Sequence, residues 1–274
     1  MVAPEVTSGS SVLRARDIAV SFGGVRAVDG VSFQLEAGGA SLGIVGPNGS
    51  GKSTLLNAIS GVVRGTGHLE MGGRAIPLGR PRSVRSAGIA RTFQTPQTFM
   101  ALSCIENVLL GLQEGGANGL TSAWLRRPAV MKAERRRWAR ACDELDRVGL
   151  LDLAEESSST LAYGQQRLLE LARALAGDPR MLLLDEPAAG LNAAETAHLQ
   201  KLLTEVRGRG VSLLLVEHKI DFVTALSDRL LVLELGHAVA EGAPADVWQE
   251  ERVIDAYLGR PTASAQGPSQ VTDA

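Results

Sequence analysis

Nine consecutive residues, Gly46-Pro47-Asn48-Gly49-Ser50-Gly51-Lys52-Ser53-Thr54, fit the pattern G-x-x-x-x-G-K-[ST]. Ahead of them stands the apolar run Ala40-Ser41-Leu42-Gly43-Ile44-Val45, of a length suited to a buried strand, and behind them Leu55-Leu56-Asn57-Ala58-Ile59 reads as an opening helix. A strand, a glycine-rich turn and a helix N-terminus direct successive backbone N–H groups toward one point. With the positive end of the helix dipole, that concavity suits a phosphate chain. The Lys52 ammonium would stand beside the β- and γ-phosphates, and the Ser53 hydroxyl would ligate Mg2+. The stretch is expected to bind a nucleoside triphosphate.

Four further places could serve phosphate chemistry. Asp185 and Glu186 close the apolar run Met181-Leu182-Leu183-Leu184, at the end of a strand where ligands of open α/β sheets collect. Asp185 could hold Mg2+, and Glu186 could polarise the water that attacks the γ-phosphate. Gln94 follows a β-like stretch; its amide could reach Mg2+ or that water, although a lone glutamine is more often a surface residue. His218 ends another strand and could hydrogen-bond the γ-phosphate, or be structural. Phe22 could stack on adenine or simply be an edge aromatic.

The elements that must position these groups can be sketched from the pattern. Residues 12–22 and 31–35 read as strands around the loop Gly23-Gly24-Val25-Arg26, and His68-Leu69-Glu70-Met71 enters a hairpin at Gly72-Gly73. These suggest an antiparallel β subdomain. Residues 103–112 read as helical, 114–119 as a loop, and 130–150 as a long charged amphipathic helix. A further amphipathic helix carries Leu168, Leu171, Ala172 and Leu175 and stops at Asp178-Pro179. Residues 181–185 and 211–216 are apolar enough for parallel strands buried on both faces. Asn192 can cap the helix that follows, residues 229–235 and 238–240 pair around Gly236-His237, and a short helix over 253–258 closes the fold. Strands alternating with helices indicate α/β with a mostly parallel sheet. Residues 1–10 and those from about 260 on are expected to be disordered tails.

Composition narrows the function. Of 274 residues 45% are apolar, enough for a substantial core, while a net charge of −2 offers no general basic field for nucleic acid. Arg135-Arg136-Arg137, with Glu134, Asp143 and Glu144 nearby, is expected to be a solvated helix face. Cys104 and Cys142 form no C-x-x-C pair, so neither a disulfide framework nor a zinc site is indicated. No apolar run approaches the roughly 20 residues of a membrane helix. With no charged-then-apolar leader, a cytosolic protein is expected.

Taken together, the pieces resemble the nucleotide-binding subunit of ABC transporters over about residues 13–259. In that family's order they are the aromatic loop (Phe22), Walker A (46–54), Q-loop (Gln94), signature, Walker B (181–185), catalytic glutamate (Glu186) and H-loop (His218). The resemblance implies a P-loop NTPase (RecA-like) core, about residues 11–94 and 166–259, with the antiparallel β subdomain and an inserted helical subdomain at about 95–165. It implies catalytic roles for Glu186, His218 and Gln94, and Mg2+ held by Ser53, Gln94 and Asp185, with ATP as the nucleotide. The signature, usually L-S-G-G-Q, reads Leu161-Ala162-Tyr163-Gly164-Gln165 here. In the family this helix faces the ATP bound by a partner cassette. Ala162 thus lacks a hydroxyl whose hydrogen bond would contribute about 1.5–3 kcal/mol. Tyr163 constrains backbone that would otherwise be glycine, while Gly164 and Gln165 keep the pattern.

L-A-Y-G-x-Q-R is also how the ATP-binding proteins of branched-chain amino acid importers look. The segments Phe22-Gly23-Gly24-Val25-Arg26-Ala27-Val28, Ala87-Gly88-Ile89-Ala90-Arg91-Thr92-Phe93-Gln94 and Asp185-Glu186-Pro187-Ala188-Ala189-Gly190-Leu191-Asn192 resemble that subgroup. Leu168 and Lys219 depart from it, standing where arginine and aspartate are common. The resemblance implies a second ATP-binding subunit (a heterodimer of cassettes), two integral membrane permease subunits and, indirectly, an external solute-binding protein. Nucleic acid is not an expected partner. The chain would then lie on the inner face of the cell membrane. Importers of urea or short amides use similar cassettes, and a soluble ABC ATPase acting on nucleic acid is the more distant alternative.

Overall fold

The computed structural model describes residues 11–112 and 127–258. The loop expected at 114–119 and both tails lie outside them. Two sheets organise the chain. Strands β1 (Ser11–Phe22), β2 (Val25–Glu36), β4 (Thr66–Met71) and β5 (Arg74–Ile76) form an antiparallel sheet in the order β2-β1-β4-β5. Strands β3 (Ser41–Val45), β6 (Ile89–Arg91), β7 (Met181–Asp185), β8 (Ser212–Val216), β9 (Arg229–Glu234) and β10 (His237–Gly242) form the second, in the order β10-β9-β3-β8-β7-β6. All pairings in this second sheet are parallel except β9 with β10.

That order fixes where chemistry can occur. The parallel neighbours β3, β8 and β7 end side by side, with Ile44 and Asp185 both opposite Val216. Whatever follows Val45, Asp185 and Val216 is therefore delivered to one edge, and β6, paired with β7, adds the segment after Arg91. All five residues of β3, β7 and β8 are buried, which is why these strands read as unbroken apolar runs.

The pleat sends alternate side chains of β7 to opposite sides. Leu183 joins a core made with the antiparallel sheet and helix α1 (Lys52–Ile59). Leu182 and Leu184 join a second core, built with helices α6 (Ala193–Gly208) and α7 (Ile220–Leu226). A third cluster joins α3 (Cys104–Gly111), α4 (Arg127–Arg147) and α5 (Tyr163–Ala176) through Ile105, Val108, Leu145 and Leu169. Helix α5 belongs to two clusters at once: Leu171 and Leu175 face the sheet, while Leu169, Ala172 and Ala176 face α3 and α4.

Several boundaries differ from the sequence reading. Strand β2 starts at Val25 instead of residue 31, because the turn is only Gly23-Gly24, with Gly23 at φ 59. Helix α4 runs over 127–147 and gives way at Gly149, φ 74. Helix α6 is capped by Asn192, which accepts from the Glu195 N–H at 3.0 Å while Glu195 accepts from the Asn192 N–H at 2.9 Å. Helices α2 (Pro81–Ser86), α7 and α8 (Pro244–Val247) were not anticipated; at 6, 7 and 4 residues they are too short to display a 3.6-residue period. Helix α9 (Glu251–Leu258) closes the described fold.

Candidate active site

The loop between β3 and α1 needs glycine at two points. Gly46 has φ 145, and a Cβ there would sit 2.1 Å from the Leu233 carbonyl oxygen. Gly51 has φ 101, and its Cβ would sit 2.4 Å from the Ala27 oxygen. Both the backbone conformation and the close approach exclude any side chain. Asn48 and Gly49 are exposed, Ser50 is buried, and its carbonyl accepts from the Gly236 N–H at 3.0 Å, so the β9–β10 turn braces the loop. Lys52 curls over the loop and donates to the Gly46 and Pro47 carbonyls, both at 2.8 Å. Burial lowers its pKa, against the opposing pull of Glu186 and Asp185. Two neutral carbonyls are weak partners for a buried ammonium, and a phosphate chain is a stronger one. Ser53 is exposed and Thr54 half-buried at the start of α1.

Across the strand ends, Asp185 forms a buried ion pair with Arg91, Oδ2 to Nη2 at 2.8 Å, both side chains 8% exposed. Arg91 is held in turn by Asn57 Oδ1 at 2.7 Å and Ser60 Oγ at 2.6 Å. Burial pushes the Asp185 carboxyl up and Arg91 pulls it back. Its second oxygen, Oδ1, is buried with no hydrogen-bond partner. Among the described residues no three His, Cys, Asp or Glu cluster as metal ligands. A site for Mg2+ here would draw on mixed oxygen donors: the Ser53 hydroxyl, the Gln94 amide oxygen, the orphaned Asp185 Oδ1 and phosphate oxygens. That donor set suits a hard cation.

Glu186 sits one residue beyond β7 with φ 46, an uncommon left-handed backbone for a residue with a side chain. Its Oε2 accepts from Gln94 Nε2 at 2.9 Å, and its Oε1 lies 3.1 Å from His218 Nε2. The fold thus brings together three polar side chains that lie far apart in sequence. Phe22 stands 52% exposed at the end of β1, beside the turn into β2, the strand that also carries Ala27 against Gly51.

Helix α5 begins at Tyr163, and Ala162 is its N-cap. The Ala162 N–H donates to Gln165 Oε1 at 3.0 Å, but alanine has no oxygen to return the bond, so only half of a capping box exists. Gly164 is buried, and a Cβ there would come 2.5 Å from Glu195 Oε1. The tyrosine does more than stiffen backbone. Its ring lies against Gly190, where an added Cβ would be 2.9 Å from the ring edge, and its hydroxyl accepts from Arg167 Nη2 at 2.9 Å.

Five residues that sequence reasoning did not assign bind these parts together. They are Arg91, Arg167, Glu170, Glu217 and Lys219. Arg167, 2% exposed, donates to the Phe93 carbonyl at 2.8 Å and the Gln94 carbonyl at 2.7 Å. Glu170 Oε1 accepts from the Phe93 N–H at 3.3 Å and the Gln97 N–H at 3.2 Å. Glu217 accepts from the backbone N–H groups of Ala188 and His218, and Lys219 Nζ donates to the Ala188 carbonyl, each at 2.8 Å. The one sign in the sequence was charge at Arg167 and Glu170, set among the apolar Leu168, Leu169 and Leu171 of α5.

Residues 28–189 match the ABC transporter family. The high-affinity branched-chain amino acid transport ATP-binding protein LivG of Salmonella typhimurium is 38% identical over 258 residues, covering 90% of this chain and 98% of that protein. Its counterpart BraF of Pseudomonas aeruginosa is 36% identical over 250 residues, with the same coverage of 90% and 98%. The crystal structure of a nucleotide-free ATP-binding cassette from an ABC transporter superposes with a TM-score of 0.77 at 32% identity, over 91% of this chain and all of that one. The ADP conformation of such a cassette superposes at 0.76 and 31% identity, over 91% and 99%. A phosphate loop, a carboxylate clasped by glutamine and histidine, and this likeness along nearly the whole chain have one meaning: the protein belongs to the ABC transporter family, as an ATP-binding subunit that hydrolyses ATP.

Proposed function

We propose that this chain energises a membrane importer of branched-chain amino acids, with Glu186 as the group that activates water. The observation that carries the catalytic part is the clasp of Glu186 between Gln94 and His218. Two hydrogen bonds aim the carboxylate, and its charge acts on Lys52 of the phosphate loop, which supports that role. Lys52 leaves its two carbonyls for the β- and γ-phosphates, and the glycine-rich backbone holds the chain in line. His218, freed from Glu186, can donate to the γ-phosphate. Mg2+, when bound, would neutralise developing charge on the phosphates; Ser53, Gln94 and Asp185 are the residues that would hold it.

The solute assignment rests on the relatives, whose names specify branched-chain amino acid transport. No helix among the described residues is long and apolar enough to cross a membrane, so permease subunits would supply the path. A cavity of about 570 Å3 supports that arrangement. Arg85, Phe93, Gln97, Phe99 and Leu110 help to line it, between the core and the helical layer. Phe99 and Leu110 are about half exposed, as apolar contacts for a short permease helix would be. Phe93 and Gln97 flank Gln94, so an occupant of the cavity would press on the segment that holds Glu186. Coupling of this kind acts in both directions. Gln94→Ala should therefore weaken stimulation of ATPase by transported solute in the reconstituted importer while leaving ATP affinity nearly intact. Equal loss of both would make Gln94 a nucleotide ligand only.

A further inference from the structure

A second basin, of about 690 Å3, opens beside the permease-facing cavity and has a different character. Among the described residues, five arginines line it, Arg74, Arg136, Arg137, Arg140 and Arg180, against one carboxylate, Asp178. They come from three elements: Arg74 from β5, Arg180 from the residue before β7, and the other three from α4. The spacing 136, 137, 140 puts these three on adjoining strips of one helix face. The solvated face expected for Arg135-Arg136-Arg137 is thus divided: Arg136 and Arg137 turn to the basin, while Arg135 lies with Glu134, Met131 and Trp138 in another depression.

Arg140 is already engaged, with Asp178 at 2.6 Å and the Ala176 carbonyl at 3.2 Å. Arg74, Arg136 and Arg180 form no ion pair with the described residues. Such a concentration of one sign is local, because the whole chain carries −2. Like charges around one concavity repel one another and focus a field that attracts anions. Every cation is arginine, whose planar fork pairs two N–H groups with two oxygens of a phosphate or carboxylate. A single oxyanion would satisfy one or two of them; a basin of about 690 Å3 has room for several linked anionic groups.

We propose that this basin binds a polyanion with two or more phosphate groups, which bridges the antiparallel sheet, the helical layer and the core. Its source is either a free phosphate compound or the headgroups of anionic lipid, the shared chemistry being phosphate oxygens gripped by guanidinium forks.

The test uses the full chain saturated with ADP and excess Mg2+, so that the phosphate loop is occupied. Sodium tripolyphosphate is titrated by calorimetry in one arm. In the other, the protein is sedimented with phosphatidylcholine vesicles that do or do not contain phosphatidylglycerol. The comparison protein carries Arg74→Glu, Arg136→Glu and Arg180→Glu, all exposed positions, and its unchanged ADP affinity reports that it is folded. We expect at least a tenfold loss of affinity in that variant, and a fall in wild-type affinity with added salt. Tripolyphosphate binding without vesicle binding assigns a free compound; vesicle binding alone assigns lipid. No saturable binding in either arm would overturn the proposal, as would binding that survives the triple reversal. Tripolyphosphate binding that vanishes in Lys52→Ala would place the anion on the phosphate loop and overturn it equally.

Discussion

Glu186 and Glu170 show how one residue type takes two roles. Glu186 is partly exposed and clasped by two side chains. Glu186→Gln keeps the size and most of the hydrogen bonding but removes the basic oxygen. ATP should still bind while hydrolysis falls by about 10²–10⁴-fold, read as phosphate release with the partner subunits present. Unchanged release would reduce Glu186 to an ordinary strand-end acid. Glu170, by contrast, is 1% exposed, and its Oε2 has no partner. Burial raises its pKa, against the Phe93 and Gln97 N–H groups, Arg173 and Arg167. A raised value in the folded state means that its stability contribution is complete below the ordinary glutamate value and is lost as pH rises through the higher one. Glu170→Gln cannot ionise and should flatten that part of the stability profile, measured by denaturant unfolding from about pH 4 to pH 8. Parallel profiles for the two proteins would refute this.

At the scale of elements, helix α5 starts with a deficit. An N-cap of alanine in place of serine typically costs about 1 kcal/mol, and no side chain accepts the bond that a serine hydroxyl would. Ala162→Ser should raise the melting temperature of the isolated chain by about 2–4 °C. In a cassette pair the same hydroxyl could instead turn to the partner's γ-phosphate, tightening that site while changing turnover at this chain's own site little. A melting temperature unmoved by the substitution would show that the cap is already satisfied. The phosphate loop was legible in the sequence because its nine residues are contiguous and their flanks announce a strand and a helix. So were β7 and β8, whose burial on both faces leaves an unbroken apolar run. Arg167 and Glu170 were not legible as site residues. Their partners are backbone groups 73 to 77 positions away, and nothing in spacing alone marks such a contact. Tyr163 was seen only as a stiffer residue than glycine, because its neighbour Gly190 comes from another element.

For the molecule as a whole, the double membership of α5 sets how the protein comes apart. One stripe of this helix is core for the sheet and the other is core for α3 and α4, with Leu168 packed at both. Neither layer can open without stripping apolar surface from the other. The described chain should therefore melt in a single cooperative transition, and calorimetric and van't Hoff enthalpies should agree. Two resolved transitions would mean that the helical layer is an independent unit. The slowest-exchanging amides should include those of α5 together with β7 and β8, protected at close to the global unfolding free energy. The same sharing bears on evolution and engineering. A segment threaded through one helix of its host cannot be excised at two loop positions; a version lacking α3 and α4 would leave Leu169, Ala172 and Ala176 facing water and would self-associate, whatever its nucleotide site retained.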